Sequence, residues 1–147
     1  MLVFEAIVSG LVAGILMGLI SHAGFKAGIF KSSLFIIDGT FVQKMLRLKQ
    51  EANKALLLGI PVHLFTSMSF SIGYVVPASL FKLALLNGWL ITFYVFILWL
   101  SMLFVALPTA GQGFLGRKLG SHTWLEQLAL HVIFGLGFWG TLYVLQQ

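Results

Sequence analysis

Cysteine is absent from this chain, and acid is scarce. Without a thiol there is no disulfide, no thiolate metal ligand and no cysteine nucleophile. Asp and Glu together number four, and Glu5, Asp38, Glu51 and Glu126 stand far apart. Hydrolysis at a metal gathers carboxylates or histidines at one point, yet the sequence has no H-E-x-x-H run and no paired-acid spacing. Charged residues of both signs make up 9% of the 147 residues, whereas a soluble domain carries about a quarter. So few charges cannot cover a water-facing surface. An ordinary soluble enzyme is the first class these absences exclude.

Apolar residues fill the space instead, at 59% of the chain, and the mean hydropathy is +1.01. A helix that crosses a bilayer needs about 20 apolar residues, and four stretches qualify: 3–20, 55–77, 89–107 and 124–145. The expected fold is all-α. Residues 1–147 form one integral membrane domain, a four-transmembrane-helix bundle with a cytoplasmic amphipathic helix over about 40–53 between spans one and two. No Lys or Arg precedes the first stretch, which therefore reads as a retained span and not a cleaved signal.

Span one carries Gly10, Gly14 and Gly18, a small residue every fourth position on one helix face. That spacing lets a second backbone approach closely, either within the fold or across a homodimer seam. For the surface helix, Thr40 followed by Gln43 fits a capping box. Phe41, Met45 and Leu48 then recur at helical spacing, with Lys44, Arg47 and Glu51 elsewhere around the axis. Span two has Pro61, His63, then Ser67, Ser69 and Ser71 at alternate positions, and Gly73-Tyr74. Span three is bulky and aromatic, and Pro108 is expected to end it. A glycine-rich basic turn follows, with Gly111, Gly113, Gly116, Arg117 and Lys118 at the membrane interface. Ser121 is a candidate N-cap for span four, which leaves His122 exposed.

The net charge of +5 is not a nucleic-acid signal, because the basic residues crowd into short connections where membrane orientation is set. The first connection has Lys26, Lys31, Lys44, Arg47, Lys49 and Lys54. The third has Arg117 and Lys118, and the middle one only Lys82. The positive-inside rule then puts both basic connections in the cytoplasm and both termini outside it. The expected partners are membrane lipids and either other membrane subunits or further copies of the chain.

A longer pattern runs from Pro108 to Tyr143. Pro108, Ala110, Gly111, Gly113, Phe114 and Gly116 are followed, after a gap, by Leu128, Leu130, His131, Phe134 and Gly135. The pattern resembles that of a group of small four-span bacterial membrane proteins with no assigned activity. Members also open span two with a histidine followed by glycine and aromatic residues, matched here by His63, Gly73 and Tyr74. The later glycines, Gly137 and Gly140, fall in a slightly different register. The resemblance covers roughly residues 60–145 and implies a bacterial inner membrane location.

His63 and His131 are the sharpest candidate site. Each lies about seven or eight residues into its span, so at 1.5 Å per residue both sit about 10–12 Å below the cytoplasmic edge on diagonal helices. Such a pair can clamp a b-type haem, take part in quinone or proton binding, or simply hydrogen-bond across helices. His22 reads as an interfacial residue. Three function classes follow. One is a non-catalytic accessory or structural subunit of a larger membrane complex, of which a respiratory or electron-transfer complex is one kind. The second is an electron-transfer protein binding haem or quinone through His63 and His131. The third is a small oligomeric transporter or channel lined by Ser67, Ser69, Ser71, Thr92 and Tyr94.

Overall fold

The computed structural model describes residues 2–147, which form five helices. These are α1 (Leu2–Lys26), α2 (Leu34–Met45), α3 (Ala52–Leu80), α4 (Gly88–Thr109) and α5 (Thr123–Leu145). Helices α1, α3, α4 and α5 are each long and apolar enough to cross a membrane. They make an up-and-down bundle in which α1 packs against α3 and α5, and α4 packs against α5. The fourth side closes through side chains: the Tyr94 hydroxyl of α4 donates to the Phe70 carbonyl of α3 at 2.7 Å. Alternation of direction collects α2, the end of α1, the start of α3 and the turn before α5 at one end. All Lys and Arg residues but Lys82 lie in segments at that end.

Small residues decide the closest contacts. Gly10 and Gly14 of α1 lie against Ser67 and Ser71 of α3, and Gly18 lies against Phe35 and His63. On the other flank of α1, Ala13 meets Gly137 of α5. Bulk fills the far end, where Tyr74 packs edge-on against Phe138 at 5.4 Å and tilted against Tyr94 at 5.2 Å.

The helix between the first two spans differs from the expected one. It runs over Leu34–Met45, not 40–53, and Thr40 and Gln43 lie inside it, so no capping box forms. Ser33 occupies the N-cap. Gln43 instead exchanges two hydrogen bonds with the backbone of Glu51, at 3.0 and 3.3 Å, and ties down the turn into α3. Nor does α2 merely rest on a surface. It runs antiparallel along the first turns of α3, with Gly39 against Ala55 and Gly59 against the Phe35 carbonyl, backbone to backbone. No residue with a Cβ fits at either crossing point, so the close approach of the two helices requires glycine at both.

Pro108 does not end α4 either. It sits in the last turn, and the residues before it, Met102–Ala106, open into a π-helical turn. Proline has no N–H and its ring crowds the carbonyl four residues back, so a widened turn relieves the clash. Beyond it, Gly111, Gly113 and Gly116 all have positive φ, as does Leu115. The Lys44 ammonium reaches over from α2 to Gly111, beside the negative end of α4. Arg117 and Lys118 of the same turn are exposed. His122, and not Ser121, is the N-cap of α5; the Ser121 hydroxyl pairs with the His122 ring at 3.0 Å, both exposed. Across this end, the Lys31 N–H donates to Glu126 at 2.9 Å and fastens the α1–α2 loop to α5.

Candidate functional site

Helix α3 presents His63 inward because positions 59, 63, 67, 71 and 74 share one buried face. Helix α5 does the same for Gln127, His131, Phe134 and Phe138. The two imidazoles, each 6% exposed, line one cavity of about 90 Å³. Asp38 of α2, Thr66 and Ser67 of α3 and Ser101 of α4 are its other polar residues, and Met17, Leu34, Phe70, Leu98, Met102, Ala106 and Phe134 make the larger, apolar part of its wall. The π turn of α4 thus forms part of this wall.

Asp38 is the residue that sequence reasoning missed. Asp38-Gly39-Thr40 reads locally as a break between apolar stretches, outside every expected span. Asp38 lies instead in the second turn of α2, with its carboxylate 2.8 Å from His63 Nδ1. The other ring nitrogen, Nε2, is 3.2 Å from the Gly14 carbonyl. The available signal was the apolar spacing, which runs unbroken through Leu34, Ile37, Phe41 and Met45 and keeps helical phase across Asp38.

His63 therefore faces an acceptor on each side. A carbonyl can only accept, so the Gly14 contact is a hydrogen bond when Nε2 carries a proton, and the Asp38 contact is one when a proton lies between Nδ1 and the carboxylate. Both form together when the pair shares one proton more than a neutral imidazole beside a bare carboxylate. Phe35 stacks edge-on to the same ring at 5.3 Å and shields it.

His131 is arranged differently. Its Nδ1 lies 2.8 Å from the Gln127 carbonyl, so Nδ1 is the N–H in the neutral ring and Nε2 bears the lone pair. Among the described residues Nε2 has no hydrogen-bond partner. His131 also lines a second and larger space, a groove of about 640 Å³ between α4 and α5. Trp89, Phe96, Trp99, Leu136 and Trp139 wall it, all but Trp99 among the exposed apolar residues, so the groove opens on the surface that lipid would cover. Gly135 faces Val95 across it, and Thr92 adds a hydroxyl.

A haem clamped between His63 and His131 does not fit. Both nitrogens of His63 are engaged, and a cavity of about 90 Å³ has room for about three waters, far less than a porphyrin. The expected row of serines also divides. Ser67 lines the cavity, Ser71 pairs with Ser9 at 3.1 Å, and Ser69 faces outward and bonds back to Phe65 of its own helix. An α-helix repeats at three and four residues, so alternate positions cannot share a face. His22 bonds to the Ser33 hydroxyl at 3.1 Å and belongs to the α1–α2 junction. Comparison with protein-family models, with characterised proteins and with solved structures gives no match in any of the three.

Proposed function

We propose that the protein binds a lipid-soluble molecule with a hydroxyl head, of the quinol class, in the groove between α4 and α5. The observation that carries this reading is His131, with one ring nitrogen committed to Gln127 and the other without a partner among the described residues, in the wall of an aromatic groove open to the lipid side. A volume of about 640 Å³ falls in the range of small-ligand sites, about 300–1,000 Å³. An apolar groove with one polar anchor suits an apolar ring and tail with one polar group. Because Nε2 accepts in the neutral ring, the anchor selects a donor, a hydroxyl, over a carbonyl.

In this reading the protein is a non-catalytic component that holds such a molecule in the bilayer, as an accessory subunit of a larger membrane assembly or as a homo-oligomer. The charge distribution supports a cytoplasmic position for the basic end and an outside position for both termini. The resemblance noted above supports a bacterial inner membrane.

The test uses the purified protein in lipid nanodiscs. Trp89, Trp99 and Trp139 line the groove, so their fluorescence reports occupancy. A short-chain benzoquinol is expected to quench it saturably. Its dimethyl ether, which cannot donate, should bind about tenfold more weakly, the worth of one neutral hydrogen bond of about 1.4 kcal/mol. His131→Leu should erase the difference between the two. Equal affinity of the native protein for quinol and ether, or no saturable quenching, overturns the reading.

A further inference from the structure

The cavity that shares His131 with the groove is mostly apolar, and its titratable groups stand at two places. At one end stands the His63–Asp38 pair, which makes both of its contacts when it holds a second proton. At the other stands His131, whose Nε2 offers a lone pair. Ser67, Thr66 and Ser101 line the same space. Its volume of about 90 Å³ exceeds the about 10–15 Å³ that one water needs. Asp38 keeps 24% of its side chain accessible, against 8% for His63. It is carried by α2, the helix that leads to Lys44 and Arg47 at the basic end.

We propose that Asp38, His63 and the cavity form a proton path between the basic end of the bundle and His131. Its use rests on the groove ligand proposed above, although the path itself does not. A proton leaves the His63–Asp38 pair for a cavity water, and that water passes a proton to Nε2 of His131 while the ring is turned to the cavity; turned to the groove, the same atom meets the ligand. The pair is refilled from water at the basic end through Asp38. Only N–H and O–H bonds form and break, and each proton gained at one atom is lost at the next. Among the residues lining the cavity, α2 contributes Asp38 and α3 His63 as titratable neighbours of His131; α1 and α4 contribute Met17, Ser101 and Met102, none of which titrates. The path ends blind at the groove, so it supplies a site and does not conduct across the membrane.

The experiment needs no ligand. Protonation at Nε2 shifts the ring ¹⁵N signals of His131, so exchange broadening of those signals reads the rate at which Nε2 gains and loses its proton. It is measured by NMR on the full chain in nanodiscs with ¹⁵N-labelled histidine, at fixed pH. Asp38→Asn and His63→Gln are each expected to slow the exchange at least tenfold. Ser69→Ala, on the outward face of α3, should leave it unchanged. If Asp38→Asn does not fold, Ser101→Val serves in its place, since it leaves the pair intact while filling the cavity, and should slow the exchange as much. Native-like exchange in the cavity variants overturns the proposal, as does exchange that slows only when the groove is blocked by Gly135→Phe. Failure of quinol binding alone overturns the ligand reading and leaves this measurement standing.

Discussion

At the scale of single residues, the site is set by what its histidines face. His63 looks at a carboxylate and a carbonyl, while His131 gives one nitrogen to its own helix and keeps the other free. The inward placement of both was legible because a histidine within an apolar span is costly against lipid and turns to the bundle interior, and their similar height followed from the rise per residue. Their unequal roles were not, since a tautomer is fixed by partners that sequence spacing does not reveal. The partner that fixes His63 comes from a residue 25 positions away on a different helix. Asp38 and His63 should therefore be energetically coupled. A double-mutant cycle of Asp38→Ala and His63→Ala, read by reversible unfolding in mild detergent, is expected to give a coupling of about 1–2 kcal/mol, at the upper end for hydrogen bonds inside membrane proteins. Additive single effects would show that the contact contributes nothing.

At the scale of elements, α2 and α3 form a hairpin fastened by two glycines. Gly59 has no room for a Cβ against the Phe35 carbonyl, and the atoms in the way are backbone. Gly59→Ala must push α2 off α3, and overpacking of this kind costs about 3 kcal/mol. It should also free Asp38 from His63. Gly140 on α5 meets nothing within 4 Å, and there Ala should stabilise by about 0.5–1 kcal/mol through backbone entropy alone. Thermal unfolding of the two variants, expected to shift in opposite directions, checks both statements. The four long helices were legible because membrane spans announce themselves by unbroken apolar length. The start of α2 was not, because Asp-Gly-Thr reads locally as a break. A helix there is sustained by packing against α3, which overrides local preference. The π turn in α4 is of the same kind: Pro108 signals trouble for a helix, and only the packed structure determines whether it stops or widens.

At the scale of the whole molecule, the basic residues gather at one end, with Lys82 alone at the other. This distribution was visible in the sequence once the connections were known, and it is the basis for the expected orientation. The lack of cysteine makes that orientation simple to test, because any introduced thiol is unique. Lys118→Cys should be protected from a membrane-impermeant thiol reagent added to intact cells, and Leu83→Cys, at the opposite end, should be labelled. The reverse pattern would invert the assigned topology without disturbing the bundle. What no pattern along the chain disclosed is the groove between α4 and α5, because an unfilled space is a property of how two helices diverge. Its walls looked in the sequence like any other aromatic surface.

The hairpin of α2 and α3 also bears on how the chain enters the bilayer. At 12 residues, α2 spans about 18 Å and is too short to be inserted as a crossing by itself. Its packing against the first turns of α3 is what can hold it there. A carboxylate is costly to move toward acyl chains alone, and the α2–α3 hairpin brings the Asp38 carboxylate to 2.8 Å from an imidazole nitrogen. Insertion and packing thus make the same demand on Asp38, that it travel with His63.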